Sequence, residues 1–201
     1  MRKADTDSPT RKKLLDAAQE LMLAKGYTDT SIDEICEAAG LTKGSFFHYF
    51  EGKEHLGRMV AEHFYAARHQ MFQSASFHQQ KNPRDRVFGF VDFFLEMSRS
   101  PMAAKGCLLG TFVQELSHTH PNIRDVCAAC FDSSISTFRQ DLEEAREKYT
   151  PQARWNAQSI AEHLLAVIQG AIILAKAKQD PKILGESLVH FRDYLSTVLS
   201  K

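Results

Sequence analysis

Helix-start signals recur along this chain and constrain its fold more than any other feature. Proline favours the first position of a helix when a Ser, Thr, Asn or Asp precedes it as the cap. Five of the six prolines follow such a residue, and the sixth follows a histidine, which caps poorly; the pairs are Ser8-Pro9, Asn82-Pro83, Ser100-Pro101, His120-Pro121, Thr150-Pro151 and Asp180-Pro181. No stretch alternates apolar and polar residues for long enough to indicate a strand. The sequence therefore predicts an all-α chain.

Local capping signals define the first helices more closely. Gly26 is a natural C-terminal stop for helix 1, and Ser31 with Glu34 forms a capping box that starts helix 2. Gly40 then breaks helix 2, and Thr42 caps helix 3. About nine helices are predicted, over 9–25, 31–39, 43–49, from 53 onward, 83–98, 107–118, 121–148, 152–178 and 182–199.

Bulk composition gives no global preference for a partner. The 201 residues are 43% hydrophobic and 25% charged, and the formal net charge is zero. No net field therefore attracts nucleic acid or a membrane surface, although a local face can still be basic. The four cysteines (Cys36, Cys107, Cys127 and Cys130) lack the spacing of a disulfide framework. Together with the lack of a visible signal peptide, this predicts a cytoplasmic protein.

The longest apolar run, Leu164–Ala177, is not expected to be a membrane span. A span needs about 20 apolar residues, and this run is shorter and contains Gln169 and Lys176. It predicts a buried helix and no membrane partner.

Two short helices joined by a tight turn at Gly40 form a helix-turn-helix pattern. In this motif the second helix lies in the major groove of DNA. Phe46 and Phe50 lie four residues apart, so one face of that helix can pack on its own scaffold. His48 and Tyr49 fall elsewhere and can reach phosphate oxygens. The crowded aromatic run therefore predicts a short helix with one face in the core and another facing DNA.

Residues 30–56, TSIDEICEAAGLTKGSFFHYFEGKEHL, resemble the N-terminal domain of the TetR family of transcriptional regulators. Phe47 replaces the usual Tyr, which removes one phosphate hydrogen bond, and Gly52 replaces the usual Ser. Total length and helix count extend the resemblance to the whole chain. The matching elements are Ser31, Ile35-Cys36, Ala39-Gly40-Leu41, Thr42-Lys43-Gly44, Phe47-His48-Tyr49-Phe50 and Lys53-Glu54-His55-Leu56.

The resemblance implies a DNA-binding helix-turn-helix domain in residues 1–50 and a ligand-binding and dimerisation domain in residues 51–201. Base reading is assigned mostly to Lys43 and Ser45, because lysine donates to guanine O6 and N7 and a serine hydroxyl is permissive. The other contacts are expected to hold phosphates and set register. The full expected set is Ser31, Thr42, Lys43, Gly44, Ser45, His48, Tyr49 and Lys53. Pure capping roles for Ser31 and Thr42, and packing roles for His48 and Tyr49, remain open.

A homodimer on a double-stranded, palindromic operator is also implied, and the last two helices support a dimer independently. The eighth helix is apolar beyond one narrow stripe, and Gly170 would allow another helix to approach closely. The alternative is that this surface is intramolecular core. The apolar positions are Ile160, Leu164, Val167, Ile168, Ala171, Ile172 and Ala175, followed in the ninth helix by Leu184, Leu188, Phe191, Leu195 and Val198.

A pocket for a small-molecule inducer is expected among the Phe-rich helices, because apolar pockets with a few polar groups occur between helices. The predicted lining residues are Phe90, Phe94, Cys107, Phe112, Phe131, Trp155 and His163.

The segment KGCLLGTFVQEL, residues 105–116, resembles a motif of a TetR subgroup that includes sensors of electrophiles and reactive aldehydes. The resemblance places the sensor cysteine at Cys107. A helix N-terminus and a nearby Lys105 both lower a thiol pKa and favour the nucleophilic thiolate. An electrophile or aldehyde inducer is one expectation, and an inert, buried Cys107 is the other.

Catalysis and metal binding have little support in the sequence. The single Glu-x-x-His pair, Glu115 with His118, is not enough for a carboxylate-metal bundle, and Cys127 with Cys130 supplies two of the four ligands that zinc needs. The motifs HExxH, G-x-S-x-G and the P-loop are absent. We expect a ligand-responsive transcriptional repressor without cofactor, metal or catalytic activity. A transcriptional activator and a helical interaction module with a vestigial helix-turn-helix are the alternatives.

Overall fold

The computed structural model describes residues 8–100, 103 and 105–200. Within these residues the chain forms nine α-helices, one short 3-10 helix at Ser76–Gln79, and no β-strand, as predicted. The helices are α1 (Pro9–Lys25), α2 (Ile32–Ala39), α3 (Lys43–Tyr49), α4 (Lys53–Gln73), α5 (Pro83–Met97), α6 (Leu108–Leu116), α7 (Pro121–Tyr149), α8 (Ala157–Lys178) and α9 (Lys182–Val198).

Three of the six prolines begin a helix as predicted, namely Pro9, Pro83 and Pro121. Pro181 lies one residue before α9, whose Lys182 N–H donates to Asp180 Oδ1 at 3.0 Å. Pro101 lies outside the described residues.

The predicted start of the eighth helix near residue 152 is wrong. Pro151 lies in a turn, and α8 begins at Ala157. The reason is a stronger cap further along the chain, since Asn156 Oδ1 accepts the Ser159 N–H at 2.9 Å.

The chain divides into two compact units. The first comprises Met1–His69 with Leu108–Cys130, and the second comprises Gln70–Cys107 with Phe131–Lys201. The first unit therefore includes α6 and the beginning of α7 in addition to the N-terminal helices.

Fully buried apolar side chains from successive helices form the core of the first unit. α1 contributes Leu14, Ala18 and Met22, and α2 contributes Ile35. Their helical spacing places them on one face, so the short α2 and α3 are held by burial as well as by their caps. The same unit buries Phe46, Phe50, Leu56, Phe112, Leu116 and Ile123.

The second unit has a larger, aromatic core in which α5, α7, α8 and α9 meet. Phe90 stacks against Phe138 with ring centroids 4.6 Å apart, and Leu164, Leu188 and Phe191 close the core from α8 and α9. Three ion pairs, made by two arginines, tie the helices together at its edge. Arg86 of α5 bonds both Asp141 and Glu144 of α7, and Arg192 of α9 bonds Asp92 of α5.

α8 is longer than the apolar run in the sequence suggested. Its 22 residues would suffice, by length and composition alone, to cross a bilayer, so the expectation that this segment is too short is corrected. Core helices of soluble proteins meet the same criterion, but only 22% of the apolar window of α8 is buried. Much of the apolar surface of α8 is therefore exposed to solvent in the single chain.

Candidate functional site

The N-terminus of α2 carries the predicted capping box. Ser31 Oγ accepts the Glu34 N–H at 3.2 Å, and the Glu34 carboxylate accepts the Ser31 N–H at 2.9 Å. Lys25 also donates to Glu34 at 2.5 Å. These bonds lower the pKa of Glu34 to about 2, and the bond from Lys25 has the largest effect. Ser31 is exposed but its hydroxyl is already used in the cap.

The turn between α2 and α3 depends on a left-handed residue. Gly40 has φ +64°, and the Leu41 N–H closes the turn on Cys36 O at 2.8 Å. Thr42 then caps α3 by accepting the Ser45 N–H at 3.2 Å. The Thr42 and Ser45 hydroxyls also bond each other at 3.1 Å. α3 therefore starts at a fixed position relative to α2.

α3 has two distinct faces, as the aromatic spacing predicted. Phe46 and Phe50 are almost completely buried in the first unit. The opposite surface exposes Lys43, Gly44, Phe47 and His48. We name these four residues the α3 outer face.

Phe47 is a member of the outer face that sequence reasoning left out of the DNA contacts. It is 56% exposed, more than any other large hydrophobic side chain among the described residues. Its ring is held edge-on by Phe46, with centroids 5.2 Å apart. Its position four residues after Lys43, on the same helical face, was the available signal.

Lys43 is joined to α2 by an ion pair. Its Nζ lies 2.7 Å from Asp33 Oδ1, and both side chains are more than 60% exposed. The hydrogen bond to Asp33 raises the pKa of Lys43. Lys43 is also the sole lysine or arginine between Gly26 and Gly52.

Tyr49 borders the outer face, next to its member His48. The Tyr49 hydroxyl bonds Ser8 Oγ at 2.8 Å, which ties α3 to the start of α1. His48 is exposed and lies edge-on to Tyr49, with ring centroids 4.7 Å apart.

The turn between α1 and α2 is held by a carboxylate from α6. Glu115 accepts the Tyr27 N–H at 2.9 Å and the Thr28 N–H at 2.6 Å. Burial raises the pKa of Glu115, but these bonds and the charge of Lys53 outweigh it and lower that pKa overall. Gly26 has φ +87°, and a Cβ there would lie 2.9 Å from Glu115 Oε2. The α1–α2 turn therefore packs against the Glu115 carboxylate with no room for a side chain at residue 26.

Lys53 and Tyr27 complete this contact. Lys53 Nζ donates to Thr28 O at 3.0 Å and lies 4.5 Å from the centre of the Tyr27 ring. Burial raises the pKa of Tyr27 to about 12, with Glu54 and Glu115 adding to the effect. The sequence predicts a DNA phosphate contact for Lys53, and for Glu115 it offers only the Glu-x-x-His spacing of a metal ligand. The link between α6 and the α1–α2 turn was missed, because no local pattern signals a bond across 87 residues.

The second unit exposes a group of apolar side chains on its last two helices. Ile173, Leu174, Val189 and Tyr194 are each 40–49% exposed. His163 lies beside Tyr194, with the two rings edge-on and their centroids 5.4 Å apart. We name these five residues the α8–α9 surface. His163 is thus exposed on this surface, whereas the sequence placed it in a pocket.

The other predicted pocket residues fall into different surroundings. Phe90 and Phe94 stack within the aromatic core of the second unit, 5.3 Å apart. Phe112 belongs to the first unit, where it meets Tyr27 edge-on at 5.9 Å. Trp155 is partly buried below the Arg146 guanidinium, at 5.6 Å. Phe131 is partly exposed in α7, so the structure gathers Phe90 and Phe94 but does not bring all seven residues together.

A polar cleft of about 460 Å³ lies between α7 and α8 and contains none of the seven predicted residues. Its lining is Asp132, Ser136, Arg139, Glu143, Arg146, Asn156, Ala157 and Gln158.

Cys107 differs from the other three cysteines. It is partly exposed, whereas Cys36, Cys127 and Cys130 are buried, and none of the four is in a disulfide. Burial raises the pKa of Cys130 to about 11. Cys107 immediately precedes α6, at the helix N-terminus predicted for it.

Lys176 of α8, which no local pattern links to this segment, lies against Gly106, the residue before Cys107. Gly106 has φ +86°, and a Cβ built on it would be 2.8 Å from Lys176 Nζ of α8. The ammonium of Lys176 therefore covers the backbone directly before Cys107. No group of three or more His, Cys, Asp or Glu side chains in the described parts of the chain is arranged to hold a metal ion.

Two family models match the chain. Residues 14–58 match "Bacterial regulatory proteins, tetR family", and residues 83–191 match "Tetracyclin repressor-like, C-terminal domain".

Curated relatives and solved structures agree with these matches. The chain is 28% identical to the HTH-type transcriptional repressor NemR of Escherichia coli (strain K12), over 96% of each chain. It is 26% identical to the HTH-type transcriptional repressor DhaR of Mycobacterium sp. (strain GP1), over 90% of this chain and 89% of the relative.

The crystal structure of the reduced form of E. coli NemR superposes with a TM-score of 0.79, over 92% of this chain and 96% of that one, at 28% identity. The regulatory protein TetR from Rhodobacter sphaeroides gives a TM-score of 0.80 at 26% identity, over 92% and 98% of the two chains. Both family models and these relatives describe regulators of transcription. The chain therefore belongs to the TetR family of bacterial helix-turn-helix transcriptional regulators.

Proposed function

We propose that this protein is a dimeric repressor that binds a palindromic operator through the α3 outer face and is released by an electrophilic or aldehyde inducer. The observation that carries the DNA-binding part is the division of α3. Phe46 and Phe50 are fixed in the core, while Lys43, Gly44, Phe47 and His48 face outward. A recognition helix needs this combination of a rigid base and a projecting polar surface.

The outer face supplies the base contacts in this proposal. Lys43 donates to a guanine edge, and Gly44 lets the backbone come close to the groove. The exposed Phe47 ring contacts a thymine methyl group, a pairing that apolar side chains make in the major groove.

His48 of the outer face and the residues around that face hold the phosphates. Thr42, Ser45 and Ser31 lie at the N-termini of α3 and α2, where backbone N–H groups favour an anion. His48 is exposed beside them, and Tyr49 reaches phosphate once its hydroxyl leaves Ser8 or shares it. Lys53 keeps its bond to Thr28 O and has two further N–H donors for phosphate. These contacts fix the register of α3 in the groove.

The dimer is supported by the α8–α9 surface. Large apolar side chains exposed on the same two helices mark a candidate interaction site. Leu174 and Ile173 of α8 lie on this surface with Val189 and Tyr194 of α9. A twofold axis through these helices buries them and places two α3 helices on successive half-sites.

Release from DNA is proposed to start at Cys107. With an activated alkene, the thiolate adds to the β-carbon, a C–S bond forms as the C=C π bond breaks, and the resulting enolate takes a proton from water. With an aldehyde, the thiolate adds to the carbonyl carbon, the C=O π bond breaks, and the alkoxide takes a proton to give a hemithioacetal. Cys107 is partly exposed and directly precedes α6, so its sulfur is more accessible to an inducer than those of the three buried cysteines. The relative NemR, whose crystal structure is described as a reduced form, fits a redox-responsive thiol.

The route from Cys107 to DNA runs along α6. Cys107 directly precedes this helix, and Glu115 near its other end holds the α1–α2 turn. An adduct that shifts α6 would strain the Glu115 contact and move the helix-turn-helix. The inducer must bind the released conformation more tightly for this to shift the equilibrium. An apolar inducer can be accommodated near Phe90 and Phe94 if those rings move.

The test is a selection of duplexes from a random-sequence library, followed by footprinting on the DNA upstream of the protein's own gene. We expect one enriched palindrome, protection of both half-sites, and loss of protection after N-ethylmaleimide treatment. The loss should not occur in Cys107→Ser. A wild-type protein that enriches no sequence would contradict the repressor proposal, and equal release of Cys107→Ser would contradict the thiol mechanism alone. We place this activity in the cytoplasm.

A further inference from the structure

We propose that Asp33 determines specificity by positioning Lys43, so that its ammonium is presented to base edges and withheld from phosphates. The inference rests on the proposed DNA-binding function of α3. It starts from the 2.7 Å ion pair between Lys43 Nζ and Asp33 Oδ1.

Lys43 is the sole positive side chain of the helix-turn-helix. Between Gly26 and Gly52 the chain contains no other lysine or arginine, and it contains five carboxylates: Asp29, Asp33, Glu34, Glu37 and Glu51. The contribution of α3 to charge attraction therefore comes from one ammonium, and that ammonium is already paired.

The ion pair with Asp33 reduces the binding free energy that Lys43 gains from a contact with DNA phosphate. Non-specific binding comes from lysines and arginines that neutralise phosphates and release counterions. A lysine that must first leave a carboxylate exchanges one exposed ion pair for another, and exposed ion pairs contribute little. The Asp33 carboxylate left behind would also repel the neighbouring phosphates. Asp33 therefore lowers the non-specific, phosphate-driven part of the affinity for DNA.

The same pairing suits a base contact. An ammonium has three N–H donors, so it can keep one bond to Asp33 and direct the others to guanine O6 and N7. The free lysine side chain loses much rotamer freedom when it is fixed. Because Asp33 already fixes it on the rigid α2–α3 frame, less is lost when the base is bound. Asp33 thus supports operator binding while it weakens non-specific binding.

Glu37 provides a matched control on the same helix. It is an exposed carboxylate of α2, and Glu37→Gln removes one negative charge as Asp33→Asn does. No ion pair connects Glu37 to Lys43 among the described residues, since Lys43 is paired with Asp33. A general charge effect would appear equally in both variants.

The experiment measures binding of the full-length protein to two duplexes of equal length. One is the operator selected from the random library by the wild-type protein, and the other is a mixed-sequence duplex. We expect Asp33→Asn to bind the mixed duplex more tightly, with a salt slope steeper by about one, as for one added phosphate contact. The ratio of operator to mixed-sequence affinity should fall about tenfold. Glu37→Gln should leave that ratio within about twofold of wild type.

A double-mutant cycle separates positioning of Lys43 from any other role of Asp33. In the Lys43→Ala background, Asp33→Asn should no longer change the ratio of operator to mixed-sequence affinity, because the lysine that it positions is gone. A purely structural role in the first turn of α2 would lower the thermal midpoint equally in both backgrounds and leave the salt slope unchanged.

The outcomes distinguish the two proposals. A selected operator together with an unchanged ratio in Asp33→Asn, or an equal change in Glu37→Gln, overturns the role of Asp33 alone. A wild-type protein that enriches no sequence overturns the repressor function, and the role of Asp33 with it.

Discussion

Glu115 Oε1 accepts the Thr28 N–H at 2.6 Å, which joins the C-terminal end of α6 to the turn that precedes α2. The Tyr27 N–H donates to the other carboxylate oxygen at 2.9 Å. One side chain therefore satisfies two adjacent backbone donors of the helix-turn-helix. In the proposed mechanism this contact carries the effect of an inducer to DNA.

Glu115→Ala should destabilise the protein and weaken operator binding. Loss of the carboxylate leaves two backbone donors without their partner, which costs about 1–3 kcal/mol of unfolding free energy. Urea unfolding and operator titration measure the two effects. Glu115→Gln retains one acceptor oxygen and should fall between wild type and alanine. A Glu115→Ala protein with wild-type affinity and normal release by the inducer would contradict the role of this contact.

Acid should weaken the same contact, because the Glu115 carboxylate accepts its two hydrogen bonds best in the ionised form. The folded state lowers the pKa of Glu115, so the stability it contributes is present above the unfolded value of about 4.3. That stability is lost as pH falls through the lower folded value. Unfolding free energies of wild type and Glu115→Gln should therefore converge as pH is lowered below about 4. A difference that stays constant with pH would contradict this linkage.

Gly26 and Gly44 should respond oppositely to alanine. Gly26 has φ 87° and ψ 171°, a region almost confined to glycine, so Gly26→Ala should cost about 1–3 kcal/mol. Gly44 is helical, and its Cβ would only touch Thr42 Oγ1 at 3.6 Å. Gly44→Ala should therefore raise stability by about 0.5–1 kcal/mol. If the backbone approaches DNA here, the same variant should lose about tenfold in operator affinity. Unchanged affinity would remove Gly44 from the interface.

Leu174→Arg should convert the dimer to a monomer. Leu174 is 49% exposed on the α8–α9 surface, and burying an unpaired charge at a twofold interface is costly. Sedimentation velocity measures the state, and operator affinity should fall with it. Gln152→Arg, at an exposed turn position, adds the same charge as a control. A dimeric Leu174→Arg would place the interface elsewhere.

N-ethylmaleimide should label Cys107 first among the four cysteines. The other three are buried, and the raised pKa of Cys130, about 11, keeps it as a thiol at neutral pH. Peptide mass spectrometry after substoichiometric labelling identifies the site. Lys176→Gln should slow labelling of Cys107, whereas Lys178→Gln, two residues further along α8, should not. Preferential labelling of a buried cysteine would contradict this assignment.

Cap and stop residues in the sequence were enough to predict most of the helices. The site was predicted less completely, because it depends on contacts between residues far apart in the chain. α1 and α3 begin and end where the cap and stop residues placed them, and the Ser31–Glu34 capping box forms as expected. α8 starts later because Asn156 is used as the cap in place of Thr150. The Asp33–Lys43 pair and the Glu115 contact depend on how helices pack, which no single segment encodes.

The α3 outer face is tested most directly by operator binding of Lys43→Ala. We predict that this variant loses about 1–3 kcal/mol of discrimination between the selected operator and a mixed-sequence duplex, while sedimentation shows an unchanged dimer. Wild-type discrimination in Lys43→Ala would show that another surface reads the DNA.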